Sequence, residues 1–114
     1  MIMNNFKKLI SLLSASLCFF SAADAQTQTG IVAHRGFWNC DEAGYAKNSV
    51  AALRCAQEAG FWGSEFDVNM TSDGVLLVYH DGKVEGKSIE ENPYSDFKDF
   101  KIANGETIPT IDQY

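Results

Sequence analysis

The sequence predicts an α/β fold whose first part is a strand–helix–strand unit. Residues 31–33 are an apolar run too short for a helix, which predicts a buried strand. Small and apolar residues recur at helical spacing from Val50 to Ala59, which predicts an amphipathic helix. Residues 63–70 predict a second strand. This order is typical of a βαβ unit, in which the two strands are parallel neighbours.

Capping residues predict where the helix begins and ends. Asn48 and Ser49 are both suitable N-cap residues, because either side chain can accept a hydrogen bond from the first helical turn. Gly60 suits the C′ position that follows a helix. Residues 37–47, before the helix, are predicted to form a loop.

A hairpin is predicted directly after the second strand. Residues 71–74 read Thr-Ser-Asp-Gly, and Asp-Gly is a strong signal for a two-residue hairpin loop. Residues 75–79 are rich in β-branched and aromatic side chains and predict the returning strand. With Asp73 and Gly74 as the two loop residues, Ser72 is predicted to pair with Val75.

The first 25 residues have the pattern of a signal peptide. Lys7 and Lys8 precede an uncharged run at residues 9–22, and Ala23-Asp24-Ala25 is a typical cleavage site. The alternative, a membrane anchor, is disfavoured because the run is shorter than the ~20 residues of a spanning helix. We therefore expect export to the periplasm or the extracellular space, with no stable membrane anchor after cleavage.

Cys40 and Cys55 are the two cysteines that remain after this cleavage. In an oxidising compartment they can pair, and a loop of about 15 residues would then contribute about 3 kcal/mol. They can equally remain two thiols, since Cys55 lies among alanines in the helical pattern. The sequence leaves both alternatives open.

The charge of the chain excludes one class of partner. The formal net charge of −6 at pH 7 repels nucleic acid. A phosphate-bearing ligand would need a local cation, either a metal ion or a single arginine.

Glu65 and Asp67 form the first candidate site. Residues i and i+2 of a strand point to the same face, so both carboxylates are predicted to lie together. Two like charges on one face favour a cation between them, and oxygen-only ligation suits Ca²⁺ or Mg²⁺. The alternative is a solvated acidic strand face.

Two histidines and an arginine are predicted to join these carboxylates. Counting outward from the Ser72–Val75 pair places His80 opposite Asp67. His34 and Arg35 end the first strand, and the carboxyl ends of parallel strands share one rim. A lone histidine is more often structural, but the only two histidines of the chain both map to this rim. Together they can supply a general acid and a general base, and the arginine can hold a phosphate.

In combination, these residues resemble the opening motifs of the glycerophosphodiester phosphodiesterases. Order and spacing both agree with that family, and the resemblance extends over nearly all of residues 31–114. The matching motifs are His34-Arg35-Gly36, Asn48-Ser49 with Ala52, Glu65-x-Asp67, Thr71-x-Asp73-Gly74, His80-Asp81 and Ile108-Pro109-Thr110.

The resemblance implies the N-terminal portion of a TIM (β/α)₈ barrel with an insertion after the second strand. Residues 82–104 would correspond to the insertion, and residues 26–114 to a truncated domain. A complete barrel needs about 250 residues, so the barrel is predicted to be incomplete in this chain. The third carboxylate ligand of the family, and a lysine near it, are expected on a later strand that this sequence does not include.

The resemblance also implies a reaction and a role for each site residue. A small glycerophosphodiester is split into glycerol 3-phosphate and an alcohol. His34 and His80 would be the catalytic acid/base pair, Arg35 would bind the phosphate, and Glu65 and Asp67 would bind one Ca²⁺ or Mg²⁺.

One departure from the family pattern affects the site. The family usually has Pro-Glu before the Asn-Ser/Thr pair, whereas this chain has Ala46-Lys47. Either Arg35 is placed differently, or the substrate carries more negative charge. The nearest rival function is a phosphodiesterase similar to phosphatidylinositol phospholipase C, and the rival from another class is an exported, non-catalytic binding fragment. We expect little or no activity from this chain alone.

Overall fold

The computed structural model describes residues 29–114 of the chain. The predicted signal peptide, residues 1–25, lies outside the described residues. Within them, the regular structure consists of six short strands, one α-helix and one 3-10 helix. In chain order these are β1 (Val32–His34), α1 (Val50–Glu58), β2 (Gly63–Glu65), β3 (Val68–Met70), β4 (Leu76–Val78), β5 (Lys83–Val84), β6 (Lys87–Ser88) and the 3-10 helix (Tyr94–Asp96).

The strands β1 and β2 are parallel neighbours joined through α1, which confirms the α/β class and the βαβ order. The register pairs Val32 with Gly63 and His34 with Glu65. The predicted burial of the first strand is wrong, because Val32 is 58% exposed and only Ala33 is buried. Parallel strands are buried when both faces are covered, and α1, the single α-helix among the described residues, covers at most one face.

The caps of α1 resolve the choice that the sequence left open. Ser49 is the N-cap, and its Oγ accepts a hydrogen bond from the backbone N–H of Ala52. At the other end Gly60 donates to the carbonyl of Gln57, and Phe61 donates to the carbonyl of Ala56. These two bonds form a Schellman motif, so the predicted C-terminus is confirmed.

The second predicted strand is split in two. Residues 63–70 were expected to be continuous, but β2 pairs with β1 and β3 pairs with β4. The break falls at Phe66 and Asp67, where the side chain of Asn48 contacts both the backbone N–H and the carboxylate of Asp67. This side chain satisfies polar groups of Asp67 that a continuous strand would present to a neighbouring strand.

The predicted hairpin exists, but its register is shifted by one residue. The observed register pairs Met70 with Leu76, and the backbone N–H of Thr71 donates to the carbonyl of Val75. The loop therefore has three residues and ends in Gly74 at φ +85°, a left-handed position that glycine adopts without strain. The Thr71 side chain fixes this longer loop, because its Oγ1 contacts both Asp73 and the backbone N–H of Val75.

The residues after the hairpin form a core of their own. Leu77 of β4 is fully buried in one cluster with Phe97 and Ile108, and its backbone is bridged to Thr110. Residues 83–88 are a tight hairpin that the sequence pattern did not predict. Most of this core comes from residues 82–104, so the segment predicted to be an insertion is folded.

No helix among residues 29–114 is both long enough and apolar enough to cross a membrane.

Candidate active site

Arg35 lies between the two candidate metal-binding carboxylates. Its backbone N–H donates to Oε2 of Glu65 at 3.1 Å, and its Nε lies 3.1 Å from Oδ2 of Asp67. The Nε atom is buried without an aligned hydrogen bond, so its attraction to Asp67 is Coulombic. Three of the predicted site residues are thus brought together at the carboxyl ends of β1 and β2.

Arg35 is held in an unusual backbone conformation. Its φ is +60°, which costs free energy for a residue with a side chain. Its carbonyl accepts a hydrogen bond from the N–H of Asn48, and its own N–H is held by Glu65. The following Gly36 lies so close to Ala52 that a Cβ atom would come within 2.6 Å of the alanine Cβ. The loop is therefore pressed against α1, and this contact fixes the arginine.

Asn48 is a positioning residue whose role the sequence reasoning missed. It is 3% exposed, has a φ of +57°, and donates from Nδ2 to Oδ2 of Asp67 at 2.9 Å. Its Oδ1 accepts from the N–H of Asp67 at 3.4 Å. The available signal was the presence of two adjacent cap-forming residues, because only Ser49 is needed for the cap.

His34 also reaches this group. Its Nε2 lies 3.9 Å from Oε2 of Glu65, and its side chain is 73% exposed. At this distance no hydrogen bond joins the two side chains, and the exposed imidazole remains open to a ligand.

His80 is placed differently from the prediction. The shifted register puts Tyr79 opposite Asp67, and the N–H of Tyr79 donates to the carbonyl of Asp67 at 3.0 Å. Among the described residues, His80 makes its side-chain contact with Asp81, from Nδ1 to Oδ1 at 2.6 Å. The prediction that His80 lies directly opposite Asp67 is therefore wrong, although His80 directly follows the residue that does.

The chemistry of the donor set can be compared with the implied divalent cation. Glu65 and Asp67 converge on Arg35 and offer only oxygen ligands, which suits Ca²⁺ or Mg²⁺. Within residues 29–114, no group of three or more His, Cys, Asp or Glu side chains is arranged to hold a metal ion. The residues present therefore fit as part of a ligand set.

Glu106 is a second contributor that the sequence pattern did not reveal. Its two carboxylate oxygens accept hydrogen bonds from the N–H groups of Val50 and Ala51, at 3.0 and 3.2 Å. It thereby caps α1 from a position more than 50 residues away in the chain. Its negative charge interacts favourably with the positive, N-terminal end of the helix dipole.

Cys40 and Cys55 are both thiols in this structure. Cys55 is buried in a small core with Ala43 and Ala52, and Cys40 packs against that core. Burial, followed by a hydrogen bond with Cys40, raises the pKa of the Cys55 thiol to about 11.

Comparison with known proteins identifies the family. Residues 34–113 match the model of the glycerophosphoryl diester phosphodiesterase family. The chain belongs to this family. The resemblance drawn from the motifs is thereby confirmed, and the matched range includes all five predicted site residues.

Curated relatives in the family have the same name. The chain is 34% identical to a glycerophosphodiester phosphodiesterase of Caldanaerobacter subterraneus, over 74% of this chain and 38% of the relative. It is 33% identical to one from Bacillus altitudinis, over 68% of this chain and 30% of the relative. The chain thus spans about a third of the length of the curated relatives that it matches.

Solved structures agree with the fold. A glycerophosphodiester phosphodiesterase from Parabacteroides distasonis superposes with a TM-score of 0.71 and 47% identity, covering 75% of this chain and 35% of that one. One from Agrobacterium tumefaciens gives a TM-score of 0.62 at 26% identity, over 75% of this chain and 40% of the other. The βαβ unit and the hairpin are therefore part of a fold that the chain shares with these members of the family.

Lys47 occupies the position where the resemblance would place a glutamate. Its contact lies away from the carboxylates of Glu65 and Asp67. Its Nζ lies 4.5 Å from the centre of the Trp38 ring, a cation–π distance. Arg35 still contacts Asp67 in its presence.

Proposed function

We propose that this chain is part of a metal-dependent enzyme that hydrolyses glycerophosphodiesters to glycerol 3-phosphate and an alcohol. The observation that carries the proposal is the convergence of Arg35, Glu65 and Asp67 at the carboxyl ends of two parallel strands. This end of a parallel α/β sheet is where ligands bind. The names of the curated relatives support the same reaction.

Arg35 is proposed to bind the phosphoryl group. Its Nε is buried beside Asp67, but 19% of its side chain remains exposed, so the guanidinium can contact an incoming oxygen. A guanidinium can form two parallel hydrogen bonds to a phosphate, which gives both orientation and charge neutralisation.

His34 and His80 are proposed to move protons. The Asp81 carboxylate holds Nδ1 of His80, so Nε2 is the atom that faces a ligand. With Nδ1 held in this way, the remaining ring nitrogen of His80 is proposed to donate a proton to the leaving alcohol. His34 would then accept a proton from the attacking hydroxyl group at its exposed ring.

Glu65 and Asp67 are proposed to hold one Ca²⁺ or Mg²⁺. When bound, this ion would neutralise negative charge on the phosphoryl oxygens. The two carboxylates supply fewer oxygens than either cation requires, so water or other ligands would complete the coordination shell. Because the chain spans about a third of the length of its curated relatives, we also propose that the barrel in this chain is incomplete. We accordingly expect weak turnover from this chain alone.

We further propose that the protein is exported, because residues 1–25 have a signal-peptide pattern. N-terminal sequencing of secreted material should begin at Gln26. A mature terminus at Met1 in a cytoplasmic fraction would contradict export.

The function is tested by substrate binding and by turnover. Arg35→Lys retains the charge but loses the forked geometry, so the affinity for glycerophosphocholine in the presence of Ca²⁺ should fall about tenfold. The matched control is Arg54→Lys, on the exposed side of α1. Calorimetry measures the affinity, and phosphorus NMR follows product formation. Equal affinity in both variants, or a preference for phosphatidylinositol, would reject the proposal.

A further inference from the structure

A cleft of ≈ 390 Å³ opens beside the candidate active site. We call it the lysine cleft. Its walls come from the loop before α1, from the end of the hairpin and from the segment after the 3-10 helix. The main side chains that line it are Tyr45, Lys47, Tyr79, Phe100, Lys101 and Ile102.

The lysine cleft adjoins the residues that surround Asp67 on two sides. Lys47 directly precedes Asn48, whose Nδ2 lies 2.9 Å from the Asp67 carboxylate. Tyr79 lies opposite and donates its backbone N–H to the carbonyl of Asp67 at 3.0 Å. A ligand that has its phosphoryl group at Arg35 can therefore extend into the cleft.

The charge of the cleft is opposite to that of the chain. The chain has 15 acidic and 9 basic residues, yet the lining contains two lysines and no carboxylate. Just outside the lining, Asp41 accepts a hydrogen bond from the Tyr45 hydroxyl at 2.7 Å, and the Asp81 carboxylate acts on Tyr79. In an otherwise acidic protein, two lysines that line one cleft create a local preference for anions.

Both lysines are held by residues next to the cleft. The Lys47 ammonium lies 4.5 Å from the centre of the Trp38 ring, and the backbone of Lys101 is bridged to Thr107. The Tyr79 and Phe100 rings, which also line the cleft, pack edge to face with their centres 6.4 Å apart. Burial raises the pKa of Tyr79 above its usual value, so its phenol adds no negative charge at neutral pH.

We propose that the lysine cleft binds a second anionic group, a phosphate or a carboxylate, on the alcohol portion of the diester substrate. This inference rests on the proposed function. It predicts that the protein prefers diesters with anionic head groups over those with cationic ones, and that Lys47 and Lys101 determine this preference.

The first experiment asks whether the cleft binds an anion at all. Inorganic phosphate is titrated into the full chain, and backbone amide shifts are followed by NMR. We expect saturable shifts at Ala46, Ile102 and Ala103 that are lost in the double variant Lys47→Gln/Lys101→Gln. The control is Lys98→Gln, which removes the same charge from an exposed residue outside the cleft. Shifts confined to the Arg35 loop, or shifts that persist in the double variant, would overturn the proposal.

The second experiment asks whether that anion is part of the substrate. Calorimetry compares glycerophosphoinositol 4-phosphate with glycerophosphocholine. The double variant should bind the anionic diester about tenfold more weakly, while its affinity for the choline diester stays the same or rises. A parallel loss for both diesters, or no loss for either, would overturn the assignment.

The two experiments together separate failure of this inference from failure of the proposed function. Phosphate binding in the cleft without binding of either diester would reject the proposed function. It would also reject the assignment of the bound anion to part of the substrate. Binding of both diesters without phosphate shifts in the cleft would reject only the inference.

Discussion

Two regions of the described structure bury their side chains in different ways. The rim unit, residues 31–70, has a small core of Ala43, Ala52 and Cys55 and leaves Val32 and Trp62 exposed at 58% and 67%. The C-terminal unit, residues 71–110, buries larger side chains. Its core consists of Leu77, Val84, Ile89, Phe97 and Ile108.

Four of the five candidate site residues lie in the unit that buries less apolar surface, and only His80 lies in the C-terminal unit. The rim unit contains Arg35 and both candidate metal-binding carboxylates, and it holds them with polar contacts over small side chains. Small side chains allow the Arg35 loop to approach α1 closely, but they bury little apolar surface. The C-terminal unit obtains its stability from apolar burial and contributes Glu106 as a cap to the rim unit.

The largest expected effect lies in the C-terminal core. Phe97 is 1% exposed, so Phe97→Ala should reduce the free energy of unfolding by about 3–5 kcal/mol. Urea denaturation measures the loss. The control is Phe37→Ala in the rim unit, because Phe37 is 36% exposed and should cost less than half as much. Equal losses would show that the two units do not differ in this way.

The next effect concerns the thiol pair of the rim unit. Treatment with oxidised glutathione should join Cys40 to Cys55, since the two side chains pack together, and two glutathione molecules are released. Closing this loop should stabilise the protein by about 3 kcal/mol against urea. Mass spectrometry should find the loss of two hydrogens and no such loss in Cys40→Ser. Separate glutathione adducts on each cysteine would contradict the prediction.

The polar contacts of the rim unit are tested at Asn48. Glycine accepts the φ of +57° without strain, so Asn48→Gly reports on the loss of the side-chain bonds to Asp67. We expect a destabilisation of about 1–3 kcal/mol, because the Asp67 carboxylate and N–H lose their partners. Asn39→Gly, at an exposed loop position, corrects for the glycine effect. If both variants lose the same stability, the hydrogen bonds between Asn48 and Asp67 do not stabilise the fold.

The smallest effect is a pH dependence in the hairpin loop. A hydrogen bond from the Thr71 hydroxyl, and then one from the N–H of Tyr94, hold the pKa of the Asp73 carboxyl below its usual value. Since the folded pKa is lower than the unfolded one, the stabilisation is present above the ordinary carboxyl range and is lost as pH falls.

Asp73→Asn should therefore be less stable than the parent at neutral pH and nearly equal to it in acid. Denaturation at several pH values measures this convergence. The control is Asp99→Asn, which removes an exposed carboxylate of the same unit and should not produce this convergence with the parent. A constant difference between Asp73→Asn and the parent at all pH values would contradict the assignment.

The sequence by itself determined the features that depend on neighbours a few residues apart. The strand–helix–strand order, an N-cap at Asn48 or Ser49 and the end of α1 at Gly60 follow from local hydrogen bonds and from helical spacing, and the structure then selects Ser49 as the cap. The motifs around His34, Glu65 and His80 also sufficed to predict the family, which the family match confirms.

Only the tertiary structure decided which long-range contacts compete with the local pattern. Asn48 reaches Asp67 across 19 residues and interrupts a strand that propensity alone would continue. The Thr71 side chain selects a three-residue loop, and this one-residue shift removes His80 from its predicted partner. Such outcomes depend on small free-energy differences between alternative hydrogen-bond partners, and those differences exist only once the chain has folded and excluded water.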